Sequence, residues 1–185
     1  MKYVDGKLNP SLPYIAIAGA GFLRLESSHI YNFVPVFSCL LLFAAVRPLK
    51  EWGLALLTLI GVDIFLTTHQ YDLPLTIDSV VTWTWYLVAM LAGSSLLRSV
   101  LSWRRAVVCS ILASTSYFFV SNYMVWAGWN MYPRTLAGLW TCYSAGLPFF
   151  RNSVVSELLC SVLLFGLCSE IIQLSRVRTA ANTRC

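Results

Sequence analysis

The chain has 185 residues, of which 58% are hydrophobic and only 11% are charged. An ordinary soluble domain has about a quarter of its residues charged, so this composition excludes a soluble globular protein and indicates helices that cross a membrane. The net charge of +5 comes from basic residues dispersed at predicted helix ends, which argues against a nucleic-acid-binding surface. No repeat or soluble segment interrupts residues 1–185, which we interpret as a single transmembrane helical domain.

About six helical spans are predicted, each bounded by polar, basic or proline-containing turns. They lie at residues 12–28, 32–46, 52–68, 77–97, 106–126 and 154–174. The first of them must continue past Arg24 and Glu26, because its purely apolar part is too short to cross alone. Residues 136–149 form an apolar run of about 14 residues, which favours a re-entrant helix before the last span. The predicted fold class is therefore an all-α integral membrane bundle.

The distribution of lysine and arginine predicts the orientation of this bundle. With six spans, both termini lie on one side of the membrane, and so do ten of the 13 basic residues. Only Arg24, Arg134 and Arg151 lie on the other side. The positive-inside rule therefore predicts that both termini are cytoplasmic.

Charged side chains inside predicted spans are the most informative positions. Each costs about 2.5–3.5 kcal/mol on insertion scales unless it is paired or faces a cavity. Because such residues gather toward the outer half of the bundle, we predict an outward-facing substrate pocket. Its candidate residues are Arg24, His29, Asn32, Asp63, Asn122, Trp126, Tyr132, Tyr143 and Glu157. An equally supported alternative is a structural ion-pair network that joins Arg24 to Asp63 or Glu157.

The candidate residues suggest how a ligand would be held. The planar guanidinium of Arg24 can bind a carboxylate or phosphate in a bidentate manner. Trp126 and Tyr132 would stack on a ring, while Asn122 and Asn32 would bind its polar edge. The alternative is that these aromatic side chains form the belt that is common at membrane interfaces.

No sequence pattern indicates catalysis. Potential metal ligands are present at His29, Asp63, His69 and Asp72, but no HExxH-type spacing joins them. The six cysteines show no CxxC spacing, and no P-loop is present, so the chain itself does not hydrolyse ATP. We expect no catalytic residue, no metal and no cofactor. A membrane-embedded metal-dependent enzyme is kept as an alternative.

Several motifs, once taken together, resemble a known signature. They are SNYMVW (121–126), MYPRTLAGL (131–139) and CYSAGLPFFRN (142–152), together with Arg24-Leu25, His29, Asn32-Phe33 and Pro35-Val36. This set resembles a family of small bacterial membrane proteins assigned to transport. That family in turn is similar to the substrate-binding S components of energy-coupling factor vitamin transporters.

The resemblance implies capture of a small vitamin-like micronutrient at the outer face of the bacterial inner membrane. It also implies a transmembrane coupling subunit and ATPases as partners, besides membrane lipid. Ala16 and Ala20 form a small-xxx-small pair of the kind that allows close helix approach, and the resemblance assigns that pair to partner docking. The alternative is an accessory or structural subunit of a larger membrane complex, in which the aromatic residues and the alanine pair are interfaces.

Overall fold

A computed structural model describes residues 9–26, 33–99 and 101–182, and for residues 169–182 it describes only the backbone. Its α-helices are α1 (Leu12–Leu25), α2 (Val36–Val46), α3 (Trp52–Phe65), α4 (Ile77–Ala92), α5 (Trp103–Gly128) and α6 (Leu136–Asn182). The chain continues from α3 and α4 into π-helical segments at Leu66–Gln70 and Gly93–Leu97, and a 3-10 helix at Leu49–Glu51 precedes α3. These residues contain no strand, so the prediction of an all-helical protein is confirmed for the part described.

Three helical stretches are long and apolar enough to cross a membrane: Ile77–Leu97, Trp103–Gly128 and Leu136–Cys168. Helices α1 and α2 are apolar but shorter. Large apolar side chains also point outward around the bundle, as at Leu57 (70% exposed) and Leu112 (62% exposed). An apolar exterior of this extent is compatible with lipid contact. The count of six spans stays a prediction.

The predicted break between a re-entrant helix (136–149) and a last span (154–174) is wrong. Both segments belong to α6, which runs without interruption for 47 residues and contains Pro148. Polar residues after position 150 suggested a boundary, but polarity alone does not end a helix, and proline is tolerated inside membrane helices. At 1.5 Å per residue α6 is about 70 Å long. It therefore exceeds a hydrocarbon layer of about 30 Å and must tilt or extend beyond it.

Helix α2 lies at the centre of the bundle and packs against each of the other five helices. Its residues from Val36 to Ala45 are all buried, and Leu40, Leu41 and Leu42 are fully inaccessible. A helix that is apolar on every side is typical of such a buried position. Its 11 residues extend only about 16 Å. Because the other helices surround α2, its length need not match the membrane thickness.

Charged side chains from other helices lie at both ends of α2. Arg98 donates hydrogen bonds to the carbonyl oxygens of Ala44 (3.1 Å) and Arg47 (2.7 Å), at the C-terminal end. Glu157 accepts hydrogen bonds from backbone N–H groups at the N-terminal end. A cation at the C-terminus and an anion at the N-terminus both complement the helix dipole. The central helix is thus held by charge at each end as well as by its apolar sides.

A cluster of polar side chains lies just beyond the C-terminal end of α2. Arg47 pairs with Glu51 (2.6 Å) and donates to the hydroxyl of Tyr14 (2.7 Å), which itself donates to Glu51. The hydrogen bond from Tyr14, together with Arg47, holds the pKa of Glu51 below its usual value. This cluster joins the start of α1 to the loop between α2 and α3, and Lys50 lies in the same loop.

The alanine pair predicted for partner docking faces the bundle interior. Ala20 is 1% exposed within the main core, and Ala16 packs partly buried against the same core. Side chains on the outer face of α1 include Ile15 and Phe22, which are 62% and 63% exposed. Ala20 is therefore covered by the core of this chain and Ala16 is partly covered by it, while partner docking by the pair stays a prediction.

Close packing of α2 against the π-helical end of α4 requires glycine at position 93. A Cβ on Gly93 would lie 2.5 Å from the carbonyl oxygen of Leu41 and 2.9 Å from its Cα. We expect Gly93→Ala to destabilise the protein by about 1–3 kcal/mol, because backbone atoms must shift to admit the methyl group. Thermal unfolding in detergent measures the effect.

Gly61→Ala is the matched control for Gly93→Ala, because a Cβ there meets no atom within 4 Å. It should be neutral or stabilise the protein by up to about 1 kcal/mol through reduced entropy of the unfolded chain. Equal melting temperatures for the two variants would contradict the close approach of these helices.

Candidate functional site

A cavity of about 230 Å³ lies where α1, α2, α4, α5 and α6 meet, near the N-terminus of α2. Six aromatic residues line it: Phe37, Tyr86, Tyr117, Phe118, Phe149 and Phe150. Its polar lining comprises Arg24, Thr82, Ser114, Ser121, Asn122 and Ser153. We call this space the main cavity. Aromatic walls with a few polar groups are the usual composition of a small-molecule site.

The aromatic wall is held by ring-to-ring contacts. Phe37 meets Tyr117 edge-on at 5.7 Å between ring centres, and it meets Tyr86 edge-on at 6.4 Å. On the other side Phe118 stacks on Phe150 at 4.5 Å. Such pairs have preferred geometries and restrict side-chain rotation. These contacts within the chain therefore fix the positions of the wall rings.

Gly146 on α6 provides the space beside Asn122. A Cβ at position 146 would lie 2.7 Å from Asn122 Oδ1 and 2.9 Å from a ring carbon of Phe118. The amide nitrogen of Asn122 donates to the carbonyl oxygen of Phe118 (2.8 Å), which orients the amide oxygen toward Gly146. Glycine at 146 thus allows two wall residues of the cavity to keep their positions.

Arg24 and Asp63 form an ion pair at the edge of the main cavity, as the structural alternative predicted. Arg24 donates from Nε to Asp63 Oδ1, and the hydroxyl of Tyr86 donates to Asp63 Oδ2 at 2.9 Å. The Asp63 side chain is only 7% exposed. This arrangement joins α1, α3 and α4 and places the guanidinium on the cavity wall.

A second cavity of about 200 Å³ lies on the other side of Arg24, near the start of α4. Arg24 and Thr82 line both spaces, so the two cavities are neighbours. Asp63, Asp78, Trp83 and Trp129 also line the second cavity. The indole N–H of Trp129 donates to Asp78 Oδ2. The residue that follows α5 is thereby tied to the first turn of α4.

Glu157 lies below the main cavity and is not part of its wall. Its carboxylate is fully buried and accepts hydrogen bonds from the backbone N–H groups of Phe37 (2.9 Å) and Ser38 (2.7 Å) and from the Ser38 hydroxyl. The Ser38 hydroxyl also contacts Ser161 (2.8 Å), which contacts Ser110 (2.7 Å). Glu157 therefore caps α2 and does not pair with Arg24, in contrast to one form of the predicted network.

The aromatic residues predicted to contact a ligand do not line either cavity. Trp126 donates from Nε1 to the carbonyl oxygen of Pro133 (2.9 Å), and it lies outside both cavities, as does Tyr132. Tyr143 donates to the carbonyl oxygen of Phe119 (2.9 Å) and packs behind the wall residue Phe118. His29 and Asn32 lie outside the described residues. Of the nine predicted residues, Arg24, Asp63 and Asn122 line the two cavities.

The sequence does contain a signal for the cavity wall on α5. Ser110, Ser114, Tyr117 and Ser121 follow one another at spacings of four, three and four, which indicates a single polar helix face. Interpreted alone, such a face predicts helix packing. In the structure, Ser114, Tyr117 and Ser121 line the main cavity and Ser110 joins the buried hydroxyl cluster.

The potential metal ligands do not converge in the described part of the chain. His69 contacts the hydroxyl of its neighbour Thr68 (2.7 Å) and stacks on Phe65 at 5.2 Å. Among residues 9–26, 33–99 and 101–182, no group of three His, Cys, Asp or Glu side chains could hold a metal ion.

Comparison with known proteins adds a family but no function. A model for a family of unknown function matches residues 7–180. No curated protein and no solved structure matches the chain.

Proposed function

The chain belongs to this family of unknown function, DUF6580. From the geometry of its cavities we propose that it is a substrate-binding membrane protein for transport. It would capture one small organic molecule in the main cavity, in the manner of an energy-coupling factor S component. The observation that carries the proposal is the main cavity itself, with its aromatic residues, the guanidinium of Arg24 and the amide of Asn122.

The size of the main cavity supports a small ligand. Drug-sized molecules occupy sites of about 300–1,000 Å³, whereas this cavity measures about 230 Å³. A single ring with short substituents fits that volume. A vitamin-like or other micronutrient molecule is therefore a suitable class of substrate.

The charge pattern supports access from the outer face. The main cavity adjoins the N-terminus of α2, whereas Arg47 and Arg98 lie at the C-terminal end of the same helix. The positive-inside rule assigns the basic end to the cytoplasm. Both termini would then be cytoplasmic in a bacterial inner membrane, and the cavity would face the exterior.

The energy for uphill uptake would come from elsewhere. The sequence has no P-loop, so ATPases acting through a transmembrane coupling subunit, or an ion gradient, would have to drive transport. The exposed apolar faces of α1 and α3 are available for lipid or for such a subunit.

An accessory subunit is the competing proposal. Charges inside the spans do not discriminate between the two, because Asp63 and Glu157 hold helices together in either case. An accessory subunit, however, has no need for an internal space lined by tyrosine, asparagine and arginine.

Filling the main cavity tests the proposed function. We expect Gly146→Leu to abolish ligand binding, because the added side chain would occupy space beside Asn122 and Phe118. Native mass spectrometry of protein purified gently from its own membranes should show a bound small molecule in the wild type and none in the variant.

Ala145→Leu provides the control for Gly146→Leu, because Ala145 is exposed on the same helix. It should carry as much small molecule as the wild type, and Gly146→Ala, with a smaller intrusion, should lose at least about tenfold in affinity. Equal occupancy of wild type and Gly146→Leu would remove the proposed site. A wild type that carries no small molecule but holds other subunits in constant ratio would favour the accessory subunit.

A further inference from the structure

The second cavity has a different charge from the main cavity. Arg24 is the one charged residue that lines the main cavity in the described part of the chain. The second cavity is lined by Arg24, Asp63 and Asp78. Because Arg24 and Asp63 pair with each other, the charge that remains among the described residues lining the second cavity is the carboxylate of Asp78.

One oxygen of that carboxylate lacks a hydrogen bond. Asp78 Oδ2 accepts from the indole of Trp129 and from the hydroxyl of Thr76 (3.2 Å). Asp78 Oδ1 is buried and has no hydrogen-bond partner among the described residues. A buried carboxylate oxygen without a donor is unfavourable, so a donor that a ligand brought to this atom would offset that cost.

An unpaired donor lines the same cavity. The indole N–H of Trp83 is buried and has no acceptor in the described part of the chain. The wall of the second cavity therefore contains one anionic side chain with an unused acceptor atom, Asp78, and one indole with an unused donor, Trp83. The rings of Trp83 and Trp129 line this cavity too, and indole faces attract organic cations.

These features select a protonated amine. An ammonium group supplies both the N–H donor and the positive charge that Asp78 Oδ1 lacks, and it is compatible with indole walls. A divalent metal ion would need about six oxygen ligands in close array. Asp78 instead shares the cavity with two indoles, several hydroxyls and Asp63, and the carboxylate of Asp63 is already paired with Arg24.

We infer that the second cavity binds a protonated amino group of the substrate, with Asp78 as its counter-charge and Trp83 as donor to a neighbouring acceptor on the substrate. The inference rests on the proposed function, because the remainder of the molecule would occupy the main cavity. Arg24 and Thr82, which line both spaces, mark where the molecule would pass from one to the other. The substrate class is then a small cyclic amine or aminomethyl-substituted ring.

Benzylamine is a suitable probe, and benzyl alcohol is its neutral counterpart of nearly equal size. Calorimetric titration of the purified wild-type protein in detergent, at constant ionic strength, measures the affinity for each probe. Benzylamine should bind, and benzyl alcohol should bind at least about tenfold more weakly. Asp78→Asn should weaken benzylamine binding by at least about tenfold. Asp72→Asn is the matched control, because Asp72 is an exposed loop residue outside both cavities and should leave the affinity unchanged.

The inference would be overturned if benzylamine did not bind the wild type at a concentration about tenfold above a Kd of about 1 mM. Equal binding of the two probes, or unchanged affinity in Asp78→Asn, would also overturn it. A sodium chloride titration that gives the same Asp78-dependent heat would also overturn it, in favour of an inorganic cation. The comparison of the two probes uses the wild type, so it remains decisive if Asp78→Asn does not fold. If Asp78→Asn retains the co-purifying molecule at full occupancy while Gly146→Leu loses it, the amine subsite falls and the proposed function stands.

Discussion

Replacing Glu157 with alanine is expected to destabilise the protein by about 3–5 kcal/mol. The carboxylate accepts hydrogen bonds from the backbone N–H groups of Phe37 and Ser38 at a site with no solvent access. Its removal leaves both donors buried without an acceptor, at about 1–3 kcal/mol each. It also removes the negative charge at the N-terminus of α2, which contributes up to about 2 kcal/mol in buried geometry. Reversible unfolding in mixed detergent micelles measures the change in the free energy of unfolding.

Two further variants separate the hydrogen bonds of Glu157 from its charge. Glu157→Gln keeps an acceptor oxygen and should lose only about 1–2 kcal/mol. Glu26→Ala removes an exposed carboxylate and should change stability by less than about 0.5 kcal/mol. If Glu157→Ala were no more destabilising than Glu26→Ala, the cap on α2 would not exist in the membrane protein.

Replacing Arg24 with alanine should also cost about 3–5 kcal/mol, because Asp63 would keep a buried charge without its cation. Asp63 is 7% exposed on its side chain and would retain only the hydroxyl of Tyr86 among the partners described. We therefore expect a lower melting temperature for Arg24→Ala, whether or not the variant also loses ligand binding. Unfolding of the purified variant, measured without added ligand, gives the stability change alone.

A second replacement tests whether the cost comes from the unpaired charge. Adding Asp63→Asn to Arg24→Ala should recover part of the lost stability, because it removes the unpaired carboxylate. Arg134→Ala, which removes an exposed arginine from the loop before α6, should stay within about 0.5 kcal/mol of the wild type. Additive losses from Arg24→Ala and Asp63→Asn would contradict the pair.

Arg24 and Glu157 show that charged residues inside predicted spans can have different structural roles. Burial of a charge in a bundle requires a partner, a cavity or a helix terminus. Arg24 meets the first two conditions and Glu157 the third. The sequence identifies such positions by their cost alone, which is why Glu157 was predicted to touch a ligand and instead holds α2.

The sequence by itself determined that the chain is helical and apolar, because hydrophobic segments of this length have few other stable arrangements in a membrane. It also predicted that nine candidate residues gather toward one half of the bundle, and of these Arg24, Asp63 and Asn122 line the two cavities. The spacing of Ser110, Ser114, Tyr117 and Ser121 on α5 predicts a polar helix face, but it does not indicate that this face lines a cavity.

Only the tertiary structure decided which of these residues meet. Whether Arg24 pairs with Asp63 or Glu157 depends on the order of helices around α2, which hydrophobic periodicity does not encode. Helix α6 continues through Pro148 and packs against α5, although local propensity favours a break at proline. Gly146 leaves room for Asn122 and Phe118 in the wall of the main cavity, and the sequence does not reveal this role because it does not show which residues lie opposite the glycine.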